Sequence, residues 1–122
     1  MPQIKAPLSP DIAAHKCHQA SLAMAAVSLE FGLTETDITH PSKGTRHLRF
    51  ARQVAMYLVH VVYELNHTHI GKLFFKDRST VSHACKVVED SRDDAVFDMK
   101  LIRLENFLRQ APRPLSIQGL AA

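Results

Sequence analysis

Ile70-Gly71-Lys72-Leu73-Phe74-Phe75-Lys76-Asp77-Arg78-Ser79-Thr80-Val81-Ser82-His83-Ala84-Cys85-Lys86 reads as a short apolar helix, a polar turn and a second helix. Ile70, Leu73 and Phe74 form the apolar side of the first helix, and Lys76-Asp77-Arg78 makes the turn. Past the turn, Val81, Ala84, Cys85 and Val88 share one helical face, which leaves Ser79, Thr80, Ser82, His83 and Lys86 on or near the other. This is the pattern of a helix-turn-helix, whose second helix offers its first turn to DNA. The attraction has a physical basis. First-turn amides are unpaired and the helix dipole is positive there, so phosphate or base acceptors are favoured before any side chain is counted. Ser79 and Thr80 are short enough for close backbone approach, Lys76 and Arg78 add charge, and an arginine can bond two acceptors on a guanine edge. On these residues alone, an ordinary solvated helix start capped by Asp77 or Ser79 remains the competing reading.

Working outward, Val54, Tyr57, Leu58, Val61 and Leu65 predict a helix from about Arg49 to Leu65, with Asn66 placed to cap the next one. Further upstream, Ser9-Pro10-Asp11 opens a helix with an N-cap residue, a first-position proline and an early acid. Its apolar stripe is Ala13, Cys17, Ala20, Met24, Val27 and Phe31, and Gly32 can end it in a left-handed cap. Thr34 to Asp37 has capping-box spacing and predicts one helical turn ending near Ile38. His40 to His47 lacks periodicity and is expected to be a loop carrying Lys43 and Arg46. Downstream, Ser91-x-x-Asp94 is a second capping box, followed by Phe97, Leu101, Leu104 and Leu108 on a helix from about Arg92 to Gln110 that Pro112 and Pro114 stop. The expected architecture is all-α, five to six helices around one core with a central helix-turn-helix. Residues 1–8 are read as an N-terminal tail, 9–110 as the helical domain and 111–122 as a flexible C-terminal tail.

The chain has 122 residues, 46% of them hydrophobic and 22% charged, which is a one-domain length with globular composition. No apolar run approaches the roughly 20 residues of a membrane span, and the first ten residues have no signal-like stretch, so a cytoplasmic address is expected. Cys17 and Cys85 fall on apolar faces and are read as reduced core thiols. Net charge is only +3, but eight Lys/Arg face two acids between Lys43 and Lys86, while Glu89 to Glu105 holds six acids and three bases. One part of the molecule is therefore suited to phosphates and another is not.

The quoted stretch resembles the C-terminal DNA-binding domain, domain IV, of the bacterial replication initiator DnaA, whose motif runs I-G-x-x-F-G-x-R-D-H-T-T-V-x-H-A. Arg52-Gln53-Val54-Ala55-Met56-Tyr57-Leu58 is similar to that family's P-R-Q-x-A-M-Y-L helix, and the likeness covers roughly Val27 to Arg109. The resemblance implies an all-helical, Trp-repressor-like domain that docks its second motif helix in the major groove of a DnaA box, with a basic loop and an arginine ahead of the long helix reaching the backbone and minor groove. By position it assigns base reading to Asp77, Arg78 and Ser79, and backbone contact to Lys76, Thr80 and His83. Lys43 and Arg46 match the basic loop; Arg49, Arg52 and Lys86 complete the candidate DNA-binding set. Arg78 stands where the family has histidine, Ser79 where it has threonine, Ala51 where it has proline, and Phe50 near the expected minor-groove arginine, with Arg49 one residue away. DNA affinity is thus better supported than preference for the usual box.

The chain begins with methionine and has no G-x-x-x-x-G-K-[ST] phosphate loop, so a freestanding copy of the domain that uses no nucleotide is expected. It would act on double-stranded DNA at a DnaA-box-like or related site, as a nucleoid-associated accessory or regulatory factor. The alternative is an interaction module that binds DnaA or another replication protein. His15-Lys16-Cys17-His18 and His67-Thr68-His69 have donors at short spacing but no C-x-x-C partner, so no metal and no other cofactor is expected. No arrangement of catalytic groups is recognisable, and an enzyme is not expected.

Overall fold

The computed structural model describes residues 10–33 and 46–111, with side chains from residue 16 onward. They form five helices: α1 (Pro10–Phe31), α2 (Arg46–Tyr63), α3 (His67–Phe74), α4 (Arg78–Ser91) and α5 (Ala95–Gln110). There is no strand among the described residues. Nor is any described helix long and apolar enough to cross a membrane.

Helix α2 is the central element because apolar residues cover most of its circumference over its middle turns: Ala51, Val54, Ala55, Met56, Tyr57, Leu58 and Val59 are all buried. Helices α1 and α4 pack on it most extensively, α3 leans mainly on α4, and α5 lies against α1 and α2. Ala20, Ala23 and Ala26 on α1 face inward, and their small side chains suit close packing against α2. Leu58, Ile70 and Leu101 are fully buried, each contributing about 1.5–3 kcal/mol relative to exposure.

The helix ends follow local chemistry. Gly32 takes a left-handed φ of 68°, and the Leu33 amide donates to Ser28 O at 2.8 Å, closing α1. Glu64 adopts φ 60° at the end of α2, which costs a non-glycine residue about 1–2 kcal/mol. His60 Nδ1 meets the next carbonyl, Leu65 O, at 2.8 Å and so fastens that turn. Asn66 Oδ1 accepts from the His69 amide at 2.8 Å and starts α3.

At the α4–α5 corner, Arg92 joins three elements. Its Nη1 donates to Tyr57 Oη of α2 at 3.0 Å and to Glu105 Oε2 of α5 at 2.9 Å, while its Nε donates to Asp98. Burial by itself would lower the pKa of this guanidinium, but its bonds to Asp98, Tyr57 and Glu105 outweigh that and push it above the ordinary arginine value.

Three expectations need correction. Helix α2 starts at Arg46, not Arg49, because Leu48 is buried and extends the inward stripe; Arg46 and His47 are helical rather than part of a loop. Asp94, not Ser91, caps α5: its Oδ1 accepts from the Val96 and Phe97 amides at 2.9 and 3.2 Å, while Ser91 is the last residue of α4 and its hydroxyl donates to Val87 O at 2.8 Å. Cys85 is buried as expected, but Cys17 is exposed, because burial on α1 begins only at Ala20 among the described side chains. The expected turn at Thr34–Ile38, the loop stretch 40–45 with Lys43, and both expected tails except Ala111 lie outside the described residues.

Candidate nucleic-acid interface

Helices α3 and α4 meet through a turn of three residues, Phe75 to Asp77. Phe75 takes φ 60° and closes α3, its amide donating to Gly71 O. The next amide, Lys76 N, also donates to Gly71 O, at 2.8 Å. The chain folds back so tightly that any side chain at position 71 would collide with the Lys76 carbonyl. Glycine at 71 is therefore what permits this turn, which sets the angle at which α4 leaves it.

Asp77 is the N-cap of α4 in an extended conformation, and its carboxylate makes no capping bond. The first-turn amides of α4 thus keep their capacity for an acceptor supplied from outside. Around this end, Arg78, Ser79, Thr80, His83 and Lys86 are exposed, as is Asp77, and Lys76 is half-buried. Lys86 lies 3.9 Å from Asp90, an ion pair open to solvent on both sides and worth little. Val81, Ala84, Cys85 and Val88 are buried on the opposite face, so packing fixes which side of α4 looks outward.

Two shallow grooves flank α4. In one, of about 490 Å³, Lys76, Asp77 and Arg78 are joined by Thr68, Gly71, Lys72 and Phe75. The other, of about 580 Å³, is lined by Arg46, His47, Arg49, Phe50 and Gln53 of α2 and by Val87 of α4. The start of α2 therefore lies beside α4, and Arg46 and Arg49 are both exposed there. Lys72 and Phe75 escaped the sequence reading. The signal for Lys72 was its position on the polar side of α3, one turn before Lys76.

Arg52 is corrected. It is only 7% exposed, on the stripe of Leu48, Ala55 and Val59, and burial together with nearby Arg49 lowers its pKa. It does not share the outward face with Arg46 and Arg49. Phe50 packs inward, its ring centroid 6.1 Å from Phe31 of α1 and 5.3 Å from Phe97 of α5, so this departure from the family pattern has a packing role. His47 Nε2 lies 3.1 Å from Phe31 O, at the carboxyl end of α1.

Behind the motif, the rings of His60 and His67 lie 4.5 Å apart. His67 Nε2 is buried without a hydrogen-bond partner. Desolvation, then His60 and Arg78, lower the His67 pKa, so the imidazole is held neutral. Arg78 at the mouth of α4 thus adds to burial and His60 in discouraging a charge on this ring.

The family described as bacterial dnaA protein helix-turn-helix matches residues 21–88, more than half of the chain, from mid-α1 through most of α4. Three curated relatives are each named chromosomal replication initiator protein DnaA. That of Bifidobacterium animalis subsp. lactis is 38% identical over 58% of this chain and 12% of its own length. That of Mycobacteroides abscessus is 38% identical over 75% of this chain and 18% of its own. The Bacteroides thetaiotaomicron relative is 33% identical over 62% of this chain and 17% of its own. The matched part is thus less than a fifth of each relative.

Proposed function

This chain belongs to the bacterial dnaA protein helix-turn-helix family, and from that premise we propose that it binds double-stranded DNA with sequence preference, placing the amino end of α4 in the major groove. The observation that carries the reading is the open first turn of α4, with Arg78, Ser79 and Thr80 exposed and no side chain capping its amides. Arg78 and Ser79 read base edges, with Asp77 beside them. Lys76, Thr80, His83 and Lys86 meet the backbone, and Arg46 and Arg49 reach phosphates beside the groove shared by α2 and α4. Lys43 belongs with these backbone contacts. The role is that of an accessory or regulatory factor at DnaA-box-like sites in replication initiation or transcription, in the nucleoid.

The test is binding to duplexes across a salt series. With about six phosphates engaged, log affinity falls against log salt with a slope of about −5. Arg78→Ala changes base preference, whereas Lys43→Ala weakens all sequences nearly alike. Absence of any salt-sensitive duplex complex overturns the proposal, and uniform losses for both variants overturn the division of roles.

One observation favours a second reading, an interaction with DnaA itself. Val96, Met99, Ile102 and Phe107 are exposed on the outward side of α5, opposite buried Leu101, Leu104 and Leu108. Titration of purified DnaA in nuclease-treated solution decides it: a complex abolished by Met99→Glu supports the reading, and no complex refutes it.

A further inference from the structure

Phe75 disfavours the fold in two ways at once. Its backbone sits at φ 60°, a conformation that strains a bulky aromatic and that glycine or asparagine adopts freely at a helix end. The residue is 79% exposed, so packing returns little for that strain. A strained, solvent-facing aromatic directs attention to what it meets from outside.

Its setting indicates the ligand. Phe75 lines the groove of about 490 Å³ together with Thr68, Lys72, Lys76, Asp77 and Arg78, so a large apolar surface stands among three cations and one carboxylate, a lining that is positive on balance. Those cations suit a polyanion. The backbone beneath the ring is rigid, since the amides of Phe75 and Lys76 both donate to Gly71 O and Gly71 itself presses against the Lys76 carbonyl. The ring is therefore held three residues ahead of Arg78, at the mouth of α4. A duplex offers apolar surface at that location in two forms, the thymine methyl group in the major groove and the deoxyribose edge beside the phosphates.

Resting on the duplex-binding reading above, we propose that Phe75 is an apolar DNA-contacting residue, whose ring covers a thymine methyl or a deoxyribose at the rim of the groove that α4 enters. This contact is independent of charge, and it adds to the grip of the surrounding cations without adding to counterion release.

The experiment compares the full chain with Phe75→Asn and Phe75→Leu, using a duplex selected from a random pool and the same duplex remade with uracil for thymine. Phe75→Asn loses about tenfold in affinity, about 1.4 kcal/mol. It keeps the parent's salt slope, because no cation has been removed, and melts no lower than the parent, because asparagine tolerates the left-handed cap. Phe75→Leu retains most of the affinity. If uracil weakens the parent but not Phe75→Asn, the contact is to a methyl group; if uracil weakens neither while Phe75→Asn stays weak on both duplexes, the contact is to the sugar. A parent that binds duplex with normal salt dependence while Phe75→Asn binds equally well overturns this inference alone. A parent that forms no duplex complex overturns the underlying reading and this inference with it.

Discussion

Gly71→Ala puts the helix-turn-helix geometry to a quantitative test. A methyl group at position 71 meets the Lys76 carbonyl well inside van der Waals contact, and Asp77 C and Lys76 C at 3.4 Å. The obstacle is backbone, which cannot rotate away as a flexible side chain would. Overpacking of this kind costs about 1–3 kcal/mol. Alanine recovers about 0.8–1.0 kcal/mol through its better helix propensity. The expected net loss is at most about 2 kcal/mol, a fall in melting temperature of up to roughly 10 °C for a domain of this size. The turn must also open by about 1 Å to restore an ordinary contact distance, and that tilts Arg78 and Ser79 away from their present direction. Thermal melting measures the first effect, and duplex titration well below the transition measures the second, with an expected affinity loss of about tenfold. Gly32→Ala is the matched control. No atom lies within 4 Å of its added methyl, so only the left-handed backbone at φ 68° is strained, and melting falls while duplex affinity holds. A Gly71→Ala chain that melts and binds like the parent would refute the claim that this close approach sets the angle of α4.

Arg92→Met leaves the Glu105 carboxylate, 11% exposed, with the more distant and more exposed Arg109 at 3.8 Å, and is expected to destabilise by about 2–3 kcal/mol, whereas Arg92→Met with Glu105→Met recovers much of the loss. Denaturant unfolding of the two single variants and the double variant checks this, and strictly additive losses would remove the coupling. Burial, then His60 and Arg78, hold the His67 pKa below its ordinary value. The unfolded chain binds the proton more tightly, so the neutral ring's contribution is complete above the ordinary value of 6.5 and is lost as pH falls from there toward the lower folded value. Melting temperature followed from pH 8 to pH 5 should fall less steeply in His67→Gln than in the parent, and equal slopes would count against a neutral imidazole with a buried Nε2.

How much could be read from the sequence depended on whether the determining contact was local. The inward and outward faces of α4 were legible because Val81, Ala84, Cys85 and Val88 repeat at helical spacing and all four are buried. Asn66 was legible as a cap because its bond reaches only three residues, to His69. The start of α2 was misjudged because His40 to His47 lacks apolar periodicity, and tertiary burial of Leu48 extends the helix. Arg52 misled because its charge suggested the surface while its position on the Leu48–Ala55–Val59 stripe leads inward. Phe75 was silent, since a left-handed aromatic contradicts local preference and only the Gly71 contact behind it explains the turn. The Arg92 hub was equally hidden, its partners Tyr57 and Glu105 lying 35 and 13 residues away.

That hub has a mechanical consequence. Helix α4 is about 20 Å long, with its exposed first turn at one end and the Arg92 corner just past the other. A rod moored at its rear to two neighbours cannot swivel freely at its tip. The aim of Arg78 and Ser79 is therefore steadied from a buried carboxylate behind the opposite end of α4, and a change at Glu105 should blur sequence discrimination even in chains that remain fully folded.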